Sequence, residues 1–400
     1  MFDKSKYSVN QKLIKDFVKQ LSKSCDYSYF LENMKNEQFS TEYWATMGEA
    51  GYIGIITPEE CGGAGFRGEE LAVFMYHMAR STLASYQLMT QIVCCELLTK
   101  FGTEKQKKKF LPEIIDGKLC SLATSDLHEG MNLFEMNVTA AKEGKTYTLN
   151  GTKSYVFGAK ESDRLIVAAR TANKDCEKEG ISLFILNGEA DGIELTPKEI
   201  NIRTTVTLEP EFMTITGDRV YELRFTNVEI PLESRIGEEN MGGQVVQEAA
   251  DLLMIMMATA AVGWGDYVLE KAVEHAKKRV IFKEPIGSYQ AVQHPLARAK
   301  TELELAKLAV GRAVMAYQNE EDKDDISIYA GIAKYTATEA SYTAFDVSMQ
   351  THGGYSADRE TGIITLWPMV LLSRIIPLNN DVILEKYAEQ GLGLPECAVS

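Results

Sequence analysis

FGTEKQKKKFLPEIIDGK, residues 101–118, is the stretch on which the reading of the fold turns. It reads as a short helix followed by a turn, and near Cys120, just after it, the chain changes character. Upstream, from Val9 to about Leu119, the pattern is mainly helical. Apolar residues recur at spacings of three and four in Leu71–Met78 and again in Leu88–Leu98, the mark of helices with one buried face. A Pro- and Gly-rich break, GYIGIITPEECGGAGF (Gly51–Phe66), divides those helices from earlier ones. Downstream, short runs rich in Val, Thr, Tyr and Ile are punctuated by Gly, Asn and Asp. Thr146–Leu149, Arg164–Ala169, Ile181–Ile185 and Tyr221–Phe225 are examples, with Asn150–Gly151 as one of the turns. They predict an all-β domain, a small barrel, ending near Arg235. After Gly242–Gly243 helical periodicity returns over Val245–Arg279, Ser288–Asn319 and Ile326–Thr351. Few breakers interrupt these stretches, which suits a four-helix bundle. The expected fold class is α+β multidomain: a helical domain over 1–119, a β-barrel over 120–236 and a helical bundle over 237–400.

Bulk composition narrows the partners. A net charge of -15 and a pI near 5.0 argue against nucleic acid and anionic membranes. A 45% hydrophobic fraction supplies ample core for a globular chain. No CxxC spacing occurs among the 7 cysteines, and Cys94–Cys95 sits in an apolar helical run. Buried free thiols in a reducing compartment are the expectation. No apolar stretch is read as approaching the roughly 18–20 residues of a membrane span. Met1–Lys23 alternates charged and apolar residues without a signal-peptide core, so the cytoplasm is the expected compartment. Histidines at 77, 128, 275, 294 and 352 fall in no metal-binding spacing, and no metal is expected. The cluster Lys105, Lys107–Lys109 is read as a solvated helix face.

The order helices, barrel, bundle, together with five punctuation strings, resembles the acyl-CoA dehydrogenase family over nearly the whole chain. PEECGGAGF (Pro58–Phe66) is similar to a turn of the family's amino-terminal domain, residues 101–118 to the lead into its barrel, and LNGTKSYVFGA (Leu149–Ala159) to a barrel hairpin. RVIFKEPIGSYQAVQH (Arg279–His294) and QTHGGY (Gln350–Tyr355) are similar to two signatures of its bundle. The resemblance implies FAD held in a tetramer, with the flavin ring between barrel and bundle and the adenine and pyrophosphate gripped by a neighbouring protomer. It also implies α,β-dehydrogenation of an acyl-CoA. A carboxylate takes the α proton, a hydride passes to the flavin, and electrons leave to an electron-transferring flavoprotein.

Carried over residue by residue, the nucleotide half of that site is kept. Arg279 falls at the pyrophosphate contact, where a guanidinium makes charge-assisted bonds to phosphate oxygens. Phe282, read as one helical turn further on, falls beside the adenine, and Gln290 and Gln350 at polar contacts to the adenosine. Gly353 and Gly354 allow close backbone approach. The ring half departs from the family. Ser125 retains a hydroxyl, while Met131 replaces one, and Tyr155-Val156-Phe157 stands where Trp-x-Ser/Thr is usual. Phe157 cannot donate to flavin N5. Pro377 occupies the usual position of the catalytic Glu. At the alternative position on the bundle, Leu253 and Met254 replace Glu and Arg.

Three readings follow. In the first, the chain completes the FAD site of a homologous catalytic subunit. In the second, it is a homotetrameric dehydrogenase with its base relocated to Asp251, Asp126 or Asp381, the last read as one helical turn after Pro377. In the third, it is a flavin-free scaffold of the same fold.

Overall fold

The computed structural model describes residues 1–36, 38–126, 134, 136–172, 180–198, 219–358 and 361–395. Helices come first: α1 (Val9–Ser24), α2 (Tyr27–Lys35), α3 (Thr41–Glu49), α4 (Gly68–Arg80), α5 (Tyr86–Phe101) and α6 (Glu104–Ile115). Local chemistry sets several of their ends. Ser85 accepts from Leu88 N at 3.0 Å to start α5, and Thr103 forms a capping box with Gln106 to start α6. In the break before α4, a Cβ on Gly63 would come within 2.1 Å of Thr57 O, so only glycine fits that turn.

Among the described residues eight strands follow in one sheet: β1 (Cys120–Ala123), β2 (Thr139–Glu143), β3 (Thr146–Phe157), β4 (Arg164–Arg170), β5 (Ile181–Asn187), β6 (Ile193–Pro197), β7 (Val220–Pro231) and β8 (Arg235–Ile236). Their order is β6-β7-β3-β2-β4-β5-β8, with β1 also paired to β4. The expected barrel is therefore corrected to an open sheet. Among the described residues, β6 pairs with β7 and β8 with β5, and the two do not pair with each other. The physical reason lies in those end strands. β8 is 2 residues long, and β6 is exposed along nearly its whole length, so neither carries the ladder that closure requires. β4 and β5 are buried almost throughout and read as continuous apolar runs, whereas β7 alternates. Tyr147, Leu149, Leu165, Val167, Phe184 and Leu223 stand at the centre of the sheet's apolar core.

The last third is helical again: α7 (Gly242–Lys278), the hairpin strands β9 (Val280–Ile281) and β10 (Glu284–Pro285), α8 (Gln290–Gln318), α9 (Lys323–His352), α10 (Trp367–Ser373) and α11 (Asn380–Leu392). Two residues of α7 govern its packing. A Cβ on Gly263 would meet Tyr76 O of α4 at 2.7 Å, and one on Gly265 would meet Leu303 of α8 at 2.5 Å. Small residues there bring three helices together around Trp264, which is fully buried. The reading that no apolar run approaches span length is corrected by this helix. α7 is 37 residues long with an apolar window of mean hydropathy 1.6, and 89% of that window is buried inside the protein. Its all-round apolarity is that of a core helix.

The chain falls into two compact units: residues 1–24, 68–84 and 251–400 form one, and residues 25–67 and 85–250 the other. Cys25, Cys94, Cys95 and Cys120 are buried free thiols, and burial pushes the thiols of Cys94 and Cys95 well up from their ordinary value.

Candidate functional site

The nucleotide-side candidates cluster where α7 and α9 end. α7 stops at Lys278, so Arg279 lies just past the helix, exposed, with its carbonyl accepting from Ile286 N at 2.8 Å. Phe282 is not one helical turn on, as the sequence reading had it. It sits at the tip of the β9–β10 hairpin with Lys283, at φ of 54° and 73°. Two consecutive left-handed residues are what a tight two-residue hairpin demands, and a phenylalanine there is unusual. The turn leaves Phe282 88% exposed. Gln290 opens α8 and Gln350 lies in the last turn of α9, both exposed. Gly353 ends α9 at φ 58°, ψ −135°, a conformation open essentially to glycine alone, and nothing lies within 4 Å of a Cβ built on it or on Gly354.

One contact between the two helix ends had no sequence signal. His275, one turn before Arg279, stacks on His352 with ring centroids 4.6 Å apart and planes 32° apart. Neither histidine belongs to a metal spacing or a charge pattern, so only the tertiary structure reveals the pair.

The ring-side candidates lie in the other unit. Ser125 is exposed and its carbonyl accepts from Ser154 N at 2.9 Å. Tyr155 occupies a bulge of β3, where the register with β7 shifts between Lys153 and Val156. Its φ is 54° and it is 59% exposed. Phe157 is buried edge-on against Tyr86 at 4.6 Å, so that position carries packing and offers no donor. Met131 lies outside the described residues, as does His128.

Of the three carboxylates considered as relocated bases, Asp126 and Asp251 are buried and engaged, and Asp381 is exposed. Asp126 is buried, ion-paired with the fully buried Lys153, and accepts from Asn137 N and from Val138 N, the latter at 3.0 Å. Asp251 is buried and accepts from Ser327 Oγ of α9 at 2.9 Å, a partner across the bundle rather than along its own helix. Asp381 does not follow Pro377 by a helical turn. The chain between them is a loop, Asn379 caps α11, and Asp381 sits in the first turn of that helix, where a carboxylate favours the positive helix end. Leu253 and Met254 are buried in α7.

Around Pro377 the structure places residues that the sequence reading missed. Lys334 of α9, fully buried, donates to Arg374 O at 3.0 Å, Leu378 O at 2.7 Å and Asn380 Oδ1 at 2.7 Å. Burial pushes this ammonium down to about 7, with Glu339 opposing and Arg374 adding to the shift. Glu339 Oε1 accepts from Arg374 Nε and Asn380 Nδ2, both at 2.7 Å. Tyr335, Glu339, Arg374, Asn379, Asn380 and Asp381 line part of a polar cleft of about 300 Å3 beside this loop. Lys334 and Glu339 sit in the run AKYTATEA, where nothing in the local pattern separates them from surface residues.

The fold and these positions meet the comparisons with known proteins here. The chain matches "Acyl-CoA dehydrogenase, N-terminal domain" over residues 8–118, the middle domain over 121–227 and the C-terminal domain over 240–392. It belongs to the acyl-CoA dehydrogenase family, whose members are FAD-dependent flavoproteins. Among its relatives is acyl-CoA dehydrogenase FadE12 of Mycobacterium tuberculosis, 30% identical over 371 residues, covering 92% of both chains. A 3-(aryl)acrylate reductase of Clostridium sporogenes is 29% identical, covering 96% of this chain and 97% of its own. The structure of butyryl-CoA dehydrogenase from Megasphaera elsdenii superposes with a TM-score of 0.85 at 24% identity, over 94% of this chain and 97% of that one.

FAD fits one half of what is described and not the other. The open space over Gly353 and Gly354, the exposed Arg279 and the bare aromatic of Phe282 suit an adenine–diphosphate moiety. On the ring side, the buried Phe157 presents no hydrogen-bond donor.

Proposed function

We infer that this chain completes the nucleotide half of an FAD site shared with a homologous acyl-CoA dehydrogenase subunit, in a tetrameric assembly. Proton abstraction from the acyl-CoA falls to that partner. When bound, FAD supplies two-electron redox chemistry to the thioester substrate. Arg279 would hold the diphosphate, Phe282 would cover the adenine, and Gln290 and Gln350 would bond the adenosine end.

The observation that carries the reading is the state of the base positions. Pro377 has no ionisable group, Leu253 is a buried apolar residue, and Asp126 and Asp251 are buried with their oxygens engaged. Beside the Pro377 loop, Glu339 is ion-paired to Arg374 at 2.7 Å, and Asp381 sits exposed in the first turn of α11. A base must be free to accept a proton at the substrate α carbon, and Asp126, Asp251 and Glu339 are not. The exposed apolar residues of α8, Leu305 and Leu308, and of the hairpin, Val280 and Ile281, support burial against another chain. The electrons' onward carrier would be an electron-transferring flavoprotein docking on the assembly.

Co-expression tests this directly. The chain is produced alone and together with a homologue encoded beside it that has an intact base. A yellow, acyl-CoA-reducible complex that forms only from the two together is the expected result. A stable FAD-loaded homotetramer of this chain alone, turning over acyl-CoA, would overturn the reading.

A further inference from the structure

We propose that His275 and His352 form a proton-linked anion contact beside Arg279, so that a nucleotide diphosphate is held more tightly as the pH falls. The proposal rests on the nucleotide site inferred above and concerns how that site is regulated.

The geometry comes first. His352 is nearly buried at the end of α9, and its Nδ1 lies 2.8 Å from Ser348 O. A carbonyl oxygen only accepts, so Nδ1 carries the hydrogen of this contact. His275 stacks on this ring at 4.6 Å and packs against Tyr355 at 6.1 Å. Arg279 follows His275 by one helical turn, close enough to act on its proton affinity. Gly353 and Gly354 follow His352 directly and leave open space above their backbone.

The charges that bear on His275 are few. From α9 comes His352, from the segment after it Tyr355, and from its own chain end Arg279. The short segment Ile286–Ser288, whose Gly287 packs against Ala276 O, brings no titratable group. On the outer side of α7, Glu274 is occupied with Lys278. No acidic group acts on His275 among these. Burial, then His352, then Arg279 push its imidazole below its ordinary value.

The consequence is a cation cluster that charges fully only with an anion present. Arg279 brings a guanidinium to the cluster, and burial, His352 and Arg279 together disfavour the charged form of His275. A second positive charge on His275 faces a ring 4.6 Å away and a guanidinium, an arrangement that is unfavourable without a counter-ion. A diphosphate supplies that counter-ion, so binding takes up a proton and acid strengthens binding. The carbonyl ends of α7 and α9 favour the cationic form in the same direction.

Adenosine diphosphate ribose is the probe, because its doubly esterified diphosphate keeps a constant charge between about pH 5.5 and about pH 8. Calorimetric titration of the full chain, in two buffers of different ionisation heat, reads affinity and proton uptake together. The expected result is roughly fivefold to tenfold tighter binding at the lower pH with net proton uptake. His275→Phe keeps the stacked ring and should bind with a flat pH profile and no uptake. Arg279→Met should lose binding throughout. Should His275→Phe fold poorly, histidine-ring NMR of the unaltered chain serves instead: the ligand should move the His275 midpoint upward. A pH-independent affinity in the unaltered chain, the same slope in His275→Phe, or an unmoved midpoint would overturn the proton link while leaving the nucleotide site standing. No binding at any pH would remove the nucleotide site and this proposal with it.

Discussion

Lys334 Nζ donates to the carbonyl of Leu378 at 2.7 Å, fastening the residue that follows Pro377 to the interior of the bundle. The same ammonium holds Arg374 O and Asn380 Oδ1, so its three hydrogens are spent on three acceptors along one loop. Lys334→Met removes all three donors at once and strands the buried carbonyl of Leu378, while Arg374 O keeps the N–H of Asn380. An unsatisfied buried acceptor costs about 1–3 kcal/mol, partly offset here because a buried charge is also removed. A net loss of about 1–3 kcal/mol is expected, read as a fall in urea midpoint without change of slope. Faster amide exchange confined to residues 374–380 should accompany it.

Restoring a carboxylate at this loop should not restore catalysis. Pro377→Glu places an ionisable group at the matched position, yet Phe157 remains buried against Tyr86 and offers no donor on the ring side. No acyl-CoA-dependent reduction of an artificial acceptor is expected from the single variant expressed alone. Turnover well above the unaltered chain would mean that the base was the one missing part, and that the shared-site reading overstates the loss.

His77 of α4 supplies an acid-sensitive element. It is buried, with Nε2 3.1 Å from Tyr7 OH of the segment before α1, and burial, Lys4, Arg80 and Lys15 together push it down to about 3. The unfolded imidazole titrates near 6.5, above the folded value, so the unfolded state binds the extra proton. Stability from this residue is therefore complete above about pH 6.5 and drains away as pH falls toward about 3. At about 1.4 kcal/mol per pH unit, and allowing for partial exposure, the loss is on the order of 3 kcal/mol. His77→Phe should flatten the acid limb of a stability-against-pH curve over that window; an unchanged limb would place the sensitivity elsewhere.

How far the sequence reached depended on whether the signal was local. Helix periodicity located α7, α8 and α9 to within a few residues because an amphipathic or apolar pattern repeats along the element itself. Ring closure is not local. It depends on whether β6 and β8 can pair, and strand content alone predicted a barrel where the sheet is open. The helical reading of Arg279 and Phe282 failed for a related reason: a two-residue hairpin, with Phe282 at positive φ, lacks the glycine that usually announces it. Motif spacing singled out Arg279 and Gln350–Gly354 as candidates but could not bring His275 onto His352, 77 positions away. Lys334 was invisible because a lysine in a helix is ordinarily a solvated one, and only burial shows otherwise.

The pair Asp126–Lys153 separates a structural carboxylate from a catalytic one. Both side chains are closed to solvent, and burial pulls the lysine's proton affinity down while Asp126 supports it. Asp126 also takes the N–H groups of Asn137 and Val138, and Lys153 Nζ donates to Thr124 O at 3.0 Å, so the pair ties β3 to both ends of the segment 127–136. Asp126→Asn keeps an acceptor for the backbone but abandons a buried ammonium. Breaking one partner of such a pair costs about 3–5 kcal/mol, whereas replacing both with apolar residues costs much less. Asp126→Asn is therefore expected to lower stability by about 3 kcal/mol, and Asp126→Leu combined with Lys153→Met to recover a good part of that loss, as a double-mutant cycle measures. If Asp126 were instead a working base, Asp126→Asn would leave the melting temperature in place and abolish proton exchange at the α carbon of a bound acyl-CoA. The two outcomes are opposite in both measurements, because a side chain sealed in an ion pair cannot also be free to reach a substrate.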